Sequence, residues 1–273
     1  MTANVPSRDF SNRIALITGA SAGIGEAVAM EVAGRGASLV LNARRKDRLD
    51  AVAKKAGEAG ARVATVVGDA ADSAVIAAML DASEKAFGSA PDLVVVNAGR
   101  GLSGSPITSD ESQWEEMVRL NLVGAARLVR AAAQRMLALV PEPTPGANAL
   151  PANPWLARPR DIILLGSTVG KHISPFSSMY GSTKFAVNSI AEAARRELAA
   201  KGVRVTTVSP AVVRSEFQSV AGYDPVKFGA FMDTIGPVLE PVDVARTIGF
   251  IASQPAHVCV NDVVIRPTRQ DYP

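Results

Sequence analysis

The apolar residues of this chain fall into short unbroken runs separated by amphipathic stretches, and that alternation narrows the folds open to it. The runs are RIALIT (13–18), SLVLNA (38–43), RVATVVGD (62–69), DLVVVN (92–97), DIILLGS (161–167), VRVTTVS (203–209) and VCVNDVVI (258–265). A strand with one face in water alternates apolar and polar residues, so a continuously apolar run reads as a strand buried on both faces. Helical stretches such as 26–36 and 111–137 lie between the runs. Strand–helix alternation predicts an α/β fold: a single-domain, Rossmann-type, doubly wound parallel sheet flanked by helices, spanning 1–273. Two stretches break the rhythm. Residues 140–160 carry six prolines, which neither a regular helix nor a central strand accepts, so they read as a surface insertion pinned by Trp155 and Leu156. Residues 211–237 read as an irregular loop holding Phe217, Tyr223, Phe228, Phe231 and Met232. Apolar side chains in a long loop suggest a cover over a substrate site.

Composition removes several classes of function. A single cysteine, Cys259, leaves no disulfide framework and no four-cysteine zinc site. It reads as a small core residue in the last strand. A net charge of +3 is weak for nucleic-acid binding, and no apolar run reaches spanning length. The beginning lacks the build of a signal peptide. The expected setting is cytoplasmic, with no membrane and no nucleic-acid partner.

The first strand runs into Thr18-Gly19-Ala20-Ser21-Ala22-Gly23-Ile24-Gly25, and a helix follows. Glycines there allow a tight turn and close approach of a phosphate, and the helix start supplies amide donors. After the first strand of an α/β chain, such a turn points to a dinucleotide. Further on, Tyr180 and Lys184 stand four residues apart, which on a helix puts both on one face. An ammonium one turn from a phenol favours phenolate and lowers a pKa that is otherwise about 10.

Together these motifs resemble the short-chain dehydrogenase/reductase family. The turn has its TGxxxGxG spacing. Asn97-Ala98-Gly99 ends the fourth strand where the family has NNAG, with Val96 in place of the first Asn. Tyr180 and Lys184 match YxxxK, thirteen residues beyond Ser167. Pro210-Ala211 stands where the family has PG. The resemblance spans nearly the whole chain outside the Pro-rich insertion. It implies that Asn121, Ser167, Tyr180 and Lys184 are catalytic, with Tyr180 moving the proton, Ser167 holding the substrate oxygen and Asn121 holding a water that links Lys184 to solvent. It implies cofactor contacts from Gly19, Ser21, Gly23, Ile24, Gly25, Asp69, Ala70, Asn97, Ala98, Gly99, Tyr180, Lys184, Pro210, Val213 and Ser215. No metal is implied. NAD-preferring relatives place an Asp at the end of the second strand. Here Ala43 is followed by Arg44 and Arg45, which suit a 2′-phosphate, so the expected cofactor is NADP(H). The family is usually dimeric or tetrameric, and Ala186, Ser189 and Ala193 would permit close helix approach.

The expected reaction is hydride transfer between nicotinamide and a ketone, aldehyde or secondary alcohol. Two readings of the substrate stand side by side. Arg100, after the Asn97-Ala98-Gly99 turn, and Arg214, after Val213, could hold a carboxylate, and the tail resembles the 3-hydroxy acid dehydrogenase branch. The bulky residues of 211–237, with Phe176 and Phe217, favour an apolar ketone, because pockets are lined mostly by apolar groups. His172 lies between Ser167 and Tyr180 and is a further candidate for touching substrate. The rivals are a non-catalytic NADP(H)-sensing regulator, an epimerase or dehydratase of the same fold, and a nucleic-acid binder using Arg44–Arg48.

Overall fold

The computed structural model describes residues 9–139 and 154–272. Its strands are β1 (Ile14–Thr18), β2 (Ser38–Ala43), β3 (Val63–Val67), β4 (Leu93–Val96), β5 (Asp161–Leu165), β6 (Arg204–Pro210) and β7 (Asp262–Ile265). The helices are α1 (Gly23–Ala33), α2 (Lys46–Glu58), α3 (Ser73–Phe87), α4 (Trp114–Val118), α5 (Ala125–Ala138), α6 (Ser178–Leu198), α7 (Phe217–Val220), α8 (Pro225–Ile235) and α9 (Pro241–Ala252). The strands form one sheet in the order β3-β2-β1-β4-β5-β6-β7. Every pairing is parallel, with Leu16 beside Val40 on one side and Val94 on the other. The strand order reverses between β1 and β4, and that switch point opens a crevice at the carboxyl ends of the strands.

Alternation along each strand divides the core into two layers. Ala15, Ile17, Leu39 and Leu41 pack with Val28, Val32, Ile248 and Ile251 from α1 and α9. Leu16, Val40, Val94 and Ile162 pack with Met79, Leu128, Met136 and Val187 from α3, α5 and α6. Two covered faces explain the unbroken apolar runs of the central strands. The edge strands depart from that expectation: β3 and β7 alternate exposed and part-buried positions.

Four further readings change. The stretch 111–137 is helical throughout but not uniformly α: a π-turn at Arg119–Gly124 lies between α4 and α5, with αR backbone at both junctions. Gly124 sits against α3's approach, where a Cβ would lie 2.8 Å from Ala71 Cα. The stretch 211–237 is largely helical, in α7 and α8. Asp224 caps α8, its carboxylate accepting the Val226 and Lys227 amides, and Pro225 takes the first turn. The last strand is shorter than its apolar run, because the carbonyls of Val258 and Val260 accept from Arg204 and Thr206 side chains instead. Cys259 is therefore exposed in the loop before β7 rather than packed in the core. Most of the Pro-rich stretch 140–160 lies outside the described residues. Beyond it, Pro154–Ala157 forms a 3₁₀ turn, and Trp155 closes on Gly202, where a Cβ would meet its ring at 2.9 Å. Among the described residues no helix is long and apolar enough to cross a membrane.

Candidate active site

A cavity of about 1160 Å³ opens at the carboxyl ends of the strands, over the switch point. The β1–α1 turn forms one wall. Thr18 Oγ1 accepts the amides of Asn97 (3.1 Å) and Ala98 (3.0 Å), and Asn97 Nδ2 donates to the Thr18 carbonyl (2.8 Å). The two loops are thereby locked together at a spacing that leaves no room for side chains. Gly19 has φ +67°, and a Cβ there would meet Asn97 Nδ2 at 2.8 Å. A Cβ on Gly25 would meet the Gly19 carbonyl oxygen at 2.3 Å. No side chain caps α1, whose N-cap is Ala22. Its first amides, at Gly23 and Ile24, stand at the cavity wall. That uncapped, positively polarised cradle fits a phosphate-bearing cofactor.

At the far end of this wall β2 delivers Arg44 and Arg45. Arg44 pairs with Glu116 (3.4 Å), and Arg45 with Glu216 (2.9 Å) and Ser21 Oγ (3.3 Å). These side chains are about half exposed, so the pairs are weak and open to exchange for another anion. Burial works to raise the Asp69 carboxyl, but the Ala71 amide and Arg119 outweigh it and hold it below its ordinary value. Ala70, Ala98, Gly99, Pro210, Val213 and Ser215 complete this part of the wall.

Ser167 leaves the end of β5, and α6 presents Tyr180 and Lys184 from its first turns. Tyr180 and Ser167 stand together at the cavity wall, and the Ser167 hydroxyl makes a long hydrogen bond to the Pro210 carbonyl (3.5 Å). Lys184 Nζ donates to the Leu165 carbonyl at 2.6 Å and stands 5.7 Å from the centre of the Tyr180 ring. Both residues are buried. Burial brings the Lys184 ammonium down to about 8. Burial also pushes the Tyr180 phenol above its ordinary value, against the pull of the neighbouring Ser167 hydroxyl. The spacing argument expected the reverse for Tyr180. Desolvation is the larger effect here.

The remaining predicted residues divide. Arg100, Phe176 and Phe217 stand at the cavity wall. Asn121 and Gly25 lie behind it. Asn121, on the π-turn, accepts the Arg100 amide (2.9 Å) and donates to the Arg100 carbonyl (2.8 Å) and Thr183 Oγ1 (3.1 Å). Its side chain fastens a loop rather than facing the cavity. His172 and Arg214 point away. The 3₁₀ turn Thr168–Gly170 carries His172 into solvent, where its ring lies 6.5 Å from that of Tyr272. Val213 bridges Leu239 and turns inward, so Arg214 turns outward and pairs with Glu240 at 3.0 Å.

Motif reading missed Glu116 and Glu216. Glu116 takes Arg100 as well as Arg44, and Gln113 also accepts from Arg100. No local pattern marks these partners, since they lie 16 and 171 residues from Arg100 and Arg45. It also missed Ser177, Lys227 and Tyr272 at the wall. Met232, read as part of the cover, is not among the lining residues.

Comparison with known proteins agrees with this architecture. Residues 13–224 match the family model described as short chain dehydrogenase. The chain is 34% identical over 261 residues to sulfoacetaldehyde reductase 2 of Chromohalobacter salexigens, covering 95% of this chain and 96% of that one. It superposes on an alcohol dehydrogenase from the archaeon Thermococcus sibiricus, complexed with 5-hydroxy-NADP, with a TM-score of 0.77 and 25% identity, over 96% and 99% of the two chains. A 3-ketoacyl-(acyl-carrier-protein) reductase from Brucella melitensis, complexed with NADH, gives 0.79 and 25% over 95% and 98%.

Proposed function

The chain belongs to the short-chain dehydrogenase family, and from that premise we propose that it is an NADP(H)-dependent oxidoreductase acting on a ketone, an aldehyde or a secondary alcohol. The observation that carries this reading is Tyr180 and Ser167 together at the cavity wall, with Lys184 one helical turn from Tyr180. A bound nicotinamide supplies the hydride in reduction and accepts it in oxidation. Tyr180 gives its proton to the carbonyl oxygen in one direction and takes it from the alcohol in the other. A phenol that burial keeps protonated suits the donor role. Ser167 donates to the same oxygen and steadies its developing charge. The Lys184 ammonium lies close enough to favour the phenolate as it forms. Asn121 holds the Arg100 loop that forms the opposite wall.

The β1–α1 cradle, from Gly19 through Ser21 and Gly23 to Gly25, takes the pyrophosphate, and Asp69 and Ala70 take the adenine end. The choice of NADP(H) rests on Arg44 and Arg45. A 2′-phosphate replaces Glu116 and Glu216 as their partner and offers a doubly charged, bidentate acceptor. The solved neighbours hold an NADP derivative in one case and NADH in the other, so these arginines bear the argument alone. On α6, Ser189 and Ala193 are exposed beside the exposed Phe185, which supports a homodimer or homotetramer. A cytoplasmic setting remains part of the proposal.

The test is direct. The protein is mixed with NADPH or NADH and a panel of carbonyl compounds, and absorbance of the reduced nicotinamide is followed. NADPH should bind more tightly and turn over faster. Tyr180→Phe should lose at least about a hundredfold in turnover, the usual scale of general acid catalysis, and keep its NADPH affinity. Cofactor binding with no turnover of any carbonyl would favour the sensing regulator instead.

A further inference from the structure

The end of the cavity beyond Tyr180 is walled by rings. Resting on the oxidoreductase reading above, we propose that this site takes bulky aryl ketones and their secondary alcohols in preference to small oxo acids. Aromatic residues make up only 5% of the chain. Yet all three tyrosines and four of the eight phenylalanines line this one cavity, and neither tryptophan does. Phe217 meets the Tyr180 ring at 5.3 Å. Tyr223 meets Phe228 at 5.0 Å, and Phe228 meets Phe231 edge-on at 6.0 Å. Toward the rim, Phe176 is 73% exposed and Tyr272 53%. Exposed rings gathered around one opening gain from covering by an apolar partner, and aromatic partners add ring–ring contact to area burial.

The polar groups at this end are already engaged. Ser177 Oγ donates to Ser174 Oγ at 3.4 Å. Ser103 Oγ donates to the Gly222 carbonyl at 3.0 Å, and the Asp224 carboxylate is spent on the α8 cap. Of the cations, Lys184 donates to Leu165, and Arg100 is held by Glu116 and Gln113. A carboxylate would have to draw Arg100 from both partners or settle for the exposed Lys227 at the rim. Arg214, the other arginine that could have held one, faces outward. The Tyr180 hydroxyl and that of Ser167, held only by a long 3.5 Å hydrogen bond to the Pro210 carbonyl, stand at one wall where a carbonyl oxygen can meet both. The volume of about 1160 Å³ exceeds the roughly 300–1,000 Å³ typical of a single small-molecule site, which leaves space for an aryl group beside a dinucleotide.

The experiment compares propiophenone with acetoacetate. Specificity constants are measured with NADPH for wild type, Phe217→Ala and Phe228→Ala, and binding of each compound is read separately by saturation-transfer NMR with NADP⁺ present. Propiophenone should be the better substrate by at least about tenfold, and each truncation should cost it about tenfold while moving acetoacetate less than about threefold. Phe217→Leu, which keeps an apolar side chain of similar bulk, should show the same direction if the alanine variant fails to fold. A better constant for acetoacetate, or propiophenone values indifferent to both phenylalanines, overturns the proposal and leaves the oxidoreductase reading intact. Turnover of neither compound nor of any carbonyl in the panel above, with propiophenone still bound by wild type but not by Phe217→Ala, refutes the oxidoreductase reading and keeps the ring-lined site. Absence of any propiophenone saturation signal refutes the site itself.

Discussion

Lys184 carries its charge where burial opposes it. Its one described hydrogen bond, to the Leu165 carbonyl, offsets part of the lost hydration. With the folded-state value brought down to about 8, the unfolded chain binds a proton that the folded protein does not between pH 8 and the ordinary lysine range. Stability from this group therefore rises with pH across that window, by about 3 kcal/mol when complete. Without cofactor, wild type should show a urea midpoint that climbs from about pH 8 to about pH 10 relative to Lys184→Met, whose own profile lacks this contribution. Parallel profiles for the two proteins would mean that the lysine is not depressed. The spacing of Tyr180 and Lys184 was legible in the sequence, because helical geometry fixes which residues share a face. The balance of burial against charge was not, since it depends on Leu165 and on Phe217 over the ring. The fates of Arg100 and Arg214 were hidden for the same reason: their carboxylate partners come from other elements.

At the scale of elements, α8 shows how a segment can look irregular and still be helical. Its sequence, PVKFGAFMDTI, places Phe228, Phe231, Met232 and Ile235 at the i, i+3, i+4, i+7 spacing of a helix, yet only Ile235 is buried, because Phe228 and Phe231 line the cavity rather than the core. The start signal was present too, in Asp224 followed by Pro225. With so little core contact, the helix depends on its cap. Asp224→Ala removes the acceptor for the Val226 and Lys227 amides (2.9 and 3.1 Å) and should cost about 1 kcal/mol. That loss belongs to a local opening rather than to global unfolding. Amide exchange across 225–235 should quicken about fivefold, while the melting temperature stays close to wild type. A global drop in melting temperature with unchanged exchange in α8 would show that Asp224 supports the fold as a whole. The same reasoning explains the split of 111–137. Its amphipathic pattern was readable, but the π-turn was not; Gly124, at the end of that turn, packs against Ala71, a contact between elements.

Across the whole molecule, the two ends of the sheet are built differently. The carboxyl ends carry loops, glycines and the cavity. The amino ends are closed by a buried ionic cluster. Asp161 accepts from Arg13 (2.7 Å) and Arg204 (2.7 and 2.8 Å), and Asp92 accepts from Arg13 (2.6 Å) and Arg158 (3.0 Å). Arg204 also donates to the carbonyls of Gln254, Pro255 and Val258, tying α9 and the approach to β7 onto the sheet. The parallel sheet and its helices were legible because alternation of runs is a property of the whole chain. The cluster was not, since its members stand at the starts of separate strands and only the strand order brings them together. Such a network need not stabilise the fold more than apolar packing would, but removing one member leaves buried charge without a partner. Asp161→Asn removes the negative charge and one of the two acceptor oxygens shared by Arg13 and Arg204, which are 7% and 5% exposed, and sets an NH2 donor against their guanidinium groups. The expected cost is about 3–5 kcal/mol, a fall in melting temperature on the order of 10 °C for a chain of this size. Because the cluster lies at the opposite end of the sheet from the cavity, the folded fraction should keep its NADPH affinity at low temperature. Thermal unfolding followed by circular dichroism, with cofactor titrated well below the transition, reads both. Unchanged melting, or lost affinity in the folded protein, would mean that the two ends of the sheet are not separable in this way.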